Sequence, residues 1–202
     1  MNQTQRLEVL TVLAGSFAVL TFLVWNEDTN TVDFALRYWA LGLNTATSVA
    51  VWESISFMGS VAVLSSLTII SLGIFALRHD WQAVRLLALA MSGAVGIDTI
   101  MKWIVQRPRP DEAYAHTLPT TYSFPSGHAL YSFTFYLVIA WIVSRLNQNK
   151  WAKGIWVMSI SMVAMIGTSR IFLGVHYSSD VLGGYLAAAT WLIFLSTRIA
   201  PD

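Results

Sequence analysis

Lys102, Arg109, His128, Arg170, His176 and Asp180 are ionisable side chains set in an otherwise apolar chain, and together they are the types that bind and transfer a phosphoryl group. They fall into three clusters: Lys102 with Arg109-Pro110, then Pro125-Ser126-Gly127-His128, then Ser169-Arg170 with His176 and Asp180. Each proline of Arg107-Pro108-Arg109-Pro110 lacks an amide donor and restricts the residue before it, so a helix carrying Lys102 ends there. Arg109 offers a planar fork and Lys102 a point charge to a doubly charged phosphate. Snorkelling contacts to lipid headgroups are the plainer use of the same two cations.

In the second cluster Ser126 is a good helix cap and Gly127 lets a ligand approach the backbone, so free amides and the positive helix end face an incoming anion. His128, with its near-neutral pKa, suits proton donation to a leaving oxygen; a capping turn beside an incidental histidine is the competing account. In the third, His176 and Asp180 are four residues apart, which on a helix puts them within hydrogen-bond reach. A carboxylate held on one ring nitrogen fixes the tautomer and leaves the other nitrogen open for attack, unless the two form only a structural polar pair. Asp98, one turn before Lys102, either orients that lysine or merely neutralises it. His79 and His116 read as surface loop residues. With His116, His128 and His176 the only histidines on that side, and no dense carboxylate set, neither a metal nor any other cofactor is expected.

What must position these groups is a membrane bundle. The 202 residues are 55% hydrophobic and 11% charged, outside the range of soluble domains. Six apolar stretches approach or exceed the length of a bilayer span: Leu7 to Trp25, Ser54 to Leu77, Val84 to Val105, Gly127 to Ser144, Ala152 to Thr168 and Val181 to Thr197. None alternates with period two, so the spans are helices and not strands of a barrel. The expected fold is all-α and polytopic, a single domain over residues 1–202, with a short interfacial helix from Asp33 to Leu43 between the first two spans. The first stretch is read as an anchor, because Trp25-Asn26-Glu27-Asp28 offers no small-residue cleavage site. The absence of cysteine excludes disulfides and thiolate metal sites.

Alternation of six spans places both termini and the second and fourth loops on one side. That side carries Arg6, Arg78, Arg85, Arg145, Lys150, Lys153 and Arg198 against Glu8, Asp80 and Asp202, while the other carries Glu27, Asp28, Asp33, Glu53, Asp111 and Glu112. The positive-inside rule makes the termini cytoplasmic. All three clusters then face outward together, and Lys102, Arg107, Arg109 and Arg170 read as site residues and not as topology signals. Trp25, Trp52 and Trp103 near one set of span ends, and Trp81 and Trp151 near the other, fit an interfacial belt.

The clusters read in order as K-x6-R-P, P-S-G-H and S-R-x5-H-x3-D, and in this they resemble the three signatures of the type 2 phosphatidic acid phosphatase family, whose bacterial members include phosphatidylglycerophosphate and undecaprenyl pyrophosphate phosphatases. The resemblance implies an all-helical core and metal-independent phosphoryl transfer through a phosphohistidine. It assigns His176 as nucleophile, Asp180 as its orienting acid, and His128 as the group that protonates the leaving oxygen and then activates water. By the same resemblance Lys102, Arg109, Ser126, Gly127 and Arg170 hold the phosphate oxygens; the supporting place of Asp98 rests on its spacing to Lys102 alone. The expected partner is a membrane lipid in a bacterial cytoplasmic membrane, with no nucleic acid and no oligomeric state specified. A phosphotransferase that passes the same phosphoryl group to a lipid hydroxyl is the neighbouring alternative. A lipid or anion transporter is the alternative from another class, disfavoured because the polar groups gather at one surface and not along a pathway. The family site is also similar to that of vanadium haloperoxidases, which are soluble.

Overall fold

The computed structural model describes residues 2–111, 120–146 and 151–199. Among them every regular element is an α-helix: α1 (Gln3–Trp25), α2 (Asn30–Gly42), α3 (Ala46–Phe57), α4 (Val61–Leu77), α5 (Trp81–Val105), α6 (Gly127–Leu146), α7 (Ala152–Phe172) and α8 (Ser178–Ile199). Glu112, His116, Lys150 and Asp202, used above, lie outside the described residues.

Local chemistry sets the helix ends. Asn2 and Gln5 form a reciprocal capping box on α1, Thr45 and Ser48 another on α3, and Asp80 Oδ1 accepts from the Ala83 amide at 3.0 Å to start α5. The α5 helix closes on Gln106 in the left-handed conformation, directly before the Arg-Pro repeat that forbids its continuation.

Among the described residues six helical segments are long and apolar enough to cross a bilayer: α1, α3 with α4 as one unit over Ala46–Leu77, α5, α6, α7 and α8. Val12, Val19, Phe22, Ile69, Ile70, Ile100, Val157, Met158 and Ile160 point outward and are exposed. So extensive an apolar coat is a lipid-facing surface, and the chain is a multi-pass membrane protein.

Two expectations needed correction. The second span begins at Ala46, not Ser54, and it is broken: Ser60 adopts extended backbone and its hydroxyl accepts from the Val63 amide at 3.3 Å, restarting the chain as α4. Gly59 permits the break to sit against α7, since a Cβ there would lie 2.4 Å from Ile166 Cγ2. The break lets α3 pack on α7 while α4 packs on α5 and α6. The short helix begins at Asn30, not Asp33, and its Asp33, Arg37 and Ala40 are buried, with α2 packed against α7 and α8.

Helix α6 is central, packed against α5, α7 and α8, with α1 lying along α8. Leu64, Leu87, Phe135, Val138, Ile142 and Leu195 form the main core, and Ala94, Leu130, Ala187 and Ala188 a second one. Small residues bring backbones together: a Cβ on Gly184 would stand 2.7 Å from the Ser126 carbonyl oxygen. Only glycine lets the start of α8 press this closely on the start of α6, which brings the second and third polar clusters side by side.

Candidate active site

The first cluster is built from the last turns of α5. Asp98 and Lys102 form an ion pair one helical turn apart, and the Tyr131 hydroxyl of α6 donates to the second carboxylate oxygen at 2.7 Å. Asp98 is therefore held from both sides, and the ammonium it holds stands over the start of α6. A Cβ on Gly127 would come within 3.5 Å of Lys102 Nζ, so glycine at this position keeps the space beside the cation open.

Arg109 reaches the third cluster. Its Nη1 lies 3.1 Å from His176 Nε2, while Nε donates to the Thr121 carbonyl at 2.7 Å and Nη1 to the Val175 carbonyl at 3.0 Å. A guanidinium can only donate, so Nε2 must be the accepting nitrogen and the ring proton belongs on Nδ1. Nδ1 faces Asp180 Oδ2 at 3.3 Å and Ser123 Oγ at 3.4 Å. Asp180 is in turn fixed by the Ser123 hydroxyl, by the Tyr177 amide at 2.9 Å and by Arg107 Nη1 on Oδ1 at 2.8 Å. The imidazole is thus locked in one tautomer, with its lone pair aimed at a guanidinium.

His176 is only 2% exposed. Burial pushes its pKa down to about 4, against the opposing hydrogen bond and charge of Asp180. At neutral pH the ring is uncharged, the state a nucleophile requires. Burial also lowers the Arg109 guanidinium, against the pull of Asp180 and Asp98, but arginine remains charged throughout.

The second cluster lies at the start of α6. The Ser126 amide donates to the Asp180 carbonyl at 2.9 Å and the Ser126 carbonyl accepts from Leu130 at 3.0 Å, which ties α6 to α8. The expected side-chain cap is not made: Ser126 Oγ is buried with no partner among the described residues. Arg170 at the end of α7 is likewise buried, with Nη1 donating to Ser56 Oγ of α3 and its Nε unpartnered. Buried donors without acceptors are costly, and Ser126 Oγ and Arg170 Nε are two such atoms at the helix ends that carry the polar clusters. His128 is half-buried at the break in the second span, its Cδ2 within 3.3 Å of where a Gly59 Cβ would be, and no hydrogen bond among the described residues restrains it.

The structure therefore links Arg109, Ser126, His176 and Asp180 directly, and sets Lys102 with Asp98 against Gly127. Ser123 and Asp33 join this polar assembly and Ser56 holds Arg170, and no motif spacing singles out these three; Arg107, a site residue by sequence, joins Asp180 to Asp33. Ser123 had one available signal, a serine two residues before Pro125 at the mouth of an apolar span.

Comparison with known proteins supplies what geometry alone cannot. The PAP2 superfamily profile matches residues 83–200, more than half of the chain. The chain belongs to the PAP2 superfamily. The matched segment runs from α5 to α8 and contains all three clusters. This PAP2 protein is 29% identical over 175 residues to phosphatidylglycerophosphatase B of Bacillus subtilis, covering 84% of each chain. It is 32% identical over 111 residues to an undecaprenyl-diphosphatase of Sulfolobus acidocaldarius, covering 52% of this chain and 50% of that one. The crystal structure of a transmembrane PAP2-type phosphatidylglycerolphosphate phosphatase from Bacillus subtilis superposes with a TM-score of 0.83, at 27% identity and 92% coverage of both chains. That of Aquifex aeolicus LpxE does so with a TM-score of 0.64 at 24% identity, covering 81% of this chain and 93% of the other, a likeness of fold. The class expected from the sequence, a membrane lipid phosphatase, is the class of these named relatives.

Proposed function

We propose that this PAP2 lipid phosphatase hydrolyses a lipid phosphate or diphosphate through a phosphohistidine, without a metal, and that residues 1–202 act as one six-span domain. The observation that carries the reading is the bracketing of His176: Asp180 holds its Nδ1 proton while Arg109 sits at its Nε2 lone pair. An incoming phosphate takes over the Arg109 N–H groups, and Lys102, Arg170, the Ser126 hydroxyl and the amides around Gly127 meet its remaining oxygens. The freed Nε2 attacks phosphorus, the bond to the leaving oxygen breaks, and His128 gives that oxygen its proton. His128 then takes a proton from water, whose oxygen attacks phosphorus. The P–N bond breaks, phosphate leaves, and His176 is restored. Asp98, paired with Lys102, keeps the ammonium in place for both steps.

The candidate substrates are phosphatidylglycerophosphate, undecaprenyl pyrophosphate and phosphatidic acid, the first supported by a relative aligned over most of both chains. Purified protein is expected to release inorganic phosphate from at least one of them in EDTA, at rates unchanged by added magnesium. A strict requirement for divalent metal would overturn the mechanism, and a phosphorylated lipid product in place of free phosphate would make the enzyme a phosphotransferase.

The setting proposed is a bacterial cytoplasmic membrane with cytoplasmic termini and an outward site, in line with Arg6, Arg78, Arg85, Arg145, Lys153 and Arg198 at the pole opposite the clusters. Because the chain has no cysteine, single cysteines read this directly. Asp28→Cys is expected to react with an impermeant maleimide on intact cells and Arg78→Cys only after lysis; the reverse pattern would invert the topology.

A further inference from the structure

The polar assembly behind Asp180 extends into a part of the chain that the family profile does not cover. Arg107 is buried and bridges two carboxylates: Nη1 donates to Asp180 Oδ1 at 2.8 Å, and Nη2 to Asp33 Oδ2 at 2.8 Å. Asp33, on α2, is 1% exposed and lies well before residue 83, where the profile match begins. The first turn of α8 also holds its carboxylate: the Ser178 hydroxyl donates to Oδ1 at 2.6 Å, the Ser179 amide to Oδ1 at 2.9 Å, and the Ser179 hydroxyl to Oδ2 at 2.5 Å. Thr29 and Asn30 add longer contacts to Arg107 Nη2, at 3.4 and 3.3 Å, and the Tyr177 ring lies 4.2 Å beneath the guanidinium.

Burial would raise the Asp33 carboxyl, but the hydrogen bonds of Ser178, Ser179 and Arg107 outweigh it and keep the group below its ordinary value. Burial would likewise lower Arg107, and Asp180 and Asp33 together hold it above its ordinary value. The group is therefore a charge-alternating chain, Asp33 to Arg107 to Asp180 to His176. If Arg107 faced Asp180 alone, the two charges would cancel and leave little field at the imidazole. Asp33 shares the guanidinium, so the assembly keeps one surplus negative charge, and Asp180 Oδ2 is the end of it that touches the ring.

We propose that Asp33 and Arg107 are positioning residues for phosphoryl transfer: Asp33, acting through Arg107, holds the Asp180 carboxylate in place and in charge against His176. The inference rests on the phosphohistidine reading above, in which the ring becomes cationic as Nε2 bonds to phosphorus and Asp180 stabilises that charge. It makes α2, a helix outside the shared catalytic segment, part of the machinery that sets the nucleophile.

The test uses the full chain in detergent micelles with phosphatidic acid as substrate and compares Asp33→Asn, Asp33→Glu, Arg107→Lys, Asp180→Asn and the doubles with Asp180→Asn. Asp33→Asn is expected to lower kcat about 10- to 100-fold, the range commanded by outer partners of an oriented histidine, with KM within about twofold of the parent. Asp33→Glu recovers part of the loss by restoring the charge. Arg107→Lys keeps a charge but cannot fork between two carboxylates, and is expected to lose kcat in the same range. In the Asp180→Asn background neither change costs anything further, because both act through that carboxylate. Losses that multiply in the doubles, or a loss confined to KM, would overturn the inference while leaving the phosphohistidine reading intact. Full activity in Asp180→Asn alone would remove that reading and this inference together. Thermal melting of each variant identifies unfolding, and should Asp33→Asn fail to fold, Arg107→Lys carries the same comparison.

Discussion

Replacing His176 with alanine is expected to lower kcat by about 10⁴-fold or more, the scale on which loss of a covalent nucleophile acts. The fold should survive the change. Asp180 retains the Ser123 hydroxyl, the Tyr177 amide and Arg107, and Arg109 retains Thr121 and Val175. No buried charge is stranded, so the melting temperature should move little while turnover disappears. A variant that kept a tenth of the parent rate would sink the nucleophile assignment. The same ring sets the acid limb of kcat/KM. Attack requires the unprotonated imidazole, so activity falls as pH drops through about 4, the value to which burial brings His176, and not through the 6.5 of an ordinary histidine. Monophosphate and diphosphate substrates, run in parallel, separate this limb from ionisation of the substrate. A shared limb near the ordinary value would show that the ring is not buried.

Replacing His128 with alanine should cost about 10²- to 10⁴-fold in kcat on a lipid alcohol leaving group, the usual contribution of a positioned general acid or base. The ring is half-buried and held by no hydrogen bond among the described residues, so its loss leaves no orphaned partner. The decisive readout is the dependence on leaving group. An alkyl-tailed 4-nitrophenyl phosphate needs no proton at departure, so the first step should run near the parent rate and release about one equivalent of nitrophenol per enzyme before stalling. The stall is expected because water activation in the second step needs the same imidazole. Equal losses on alcohol and nitrophenol esters, without a burst, would take the proton-transfer role from His128.

The Arg107 bridge between Asp33 and Asp180 is not legible in residue order. Its partners Asp33 and Asp180 are 74 and 73 residues away, and a contact at that separation leaves no periodic trace. Asp33 reads as one acidic residue of a short amphipathic helix, and only the fold turns it toward α8. The broken second span was hidden for a related reason: Ser54, Ser56, Gly59 and Ser60 are tolerated inside a membrane helix, and the packing of Gly59 on Ile166 decides that the chain bends there. Ser126 shows the converse, since its place at the start of α6 was legible but the fate of its hydroxyl was not.

From residue order alone came the all-helical membrane architecture, the three clusters and the family, because each is written in short-range patterns of apolar run length and proline and glycine punctuation; the His176–Asp180 contact is made differently from the helical step expected, since α8 begins at Ser178 and His176 reaches Asp180 from the loop before it. Tertiary structure alone decided the tautomer of His176, which requires Arg109 to arrive from α5's far end, and the linkage of Asp33 through Arg107 and Asp180 to that ring. These depend on which helix ends meet in space. Close approach at Gly184 and Gly59, governed by side-chain volume across helices remote in the chain, determines that meeting.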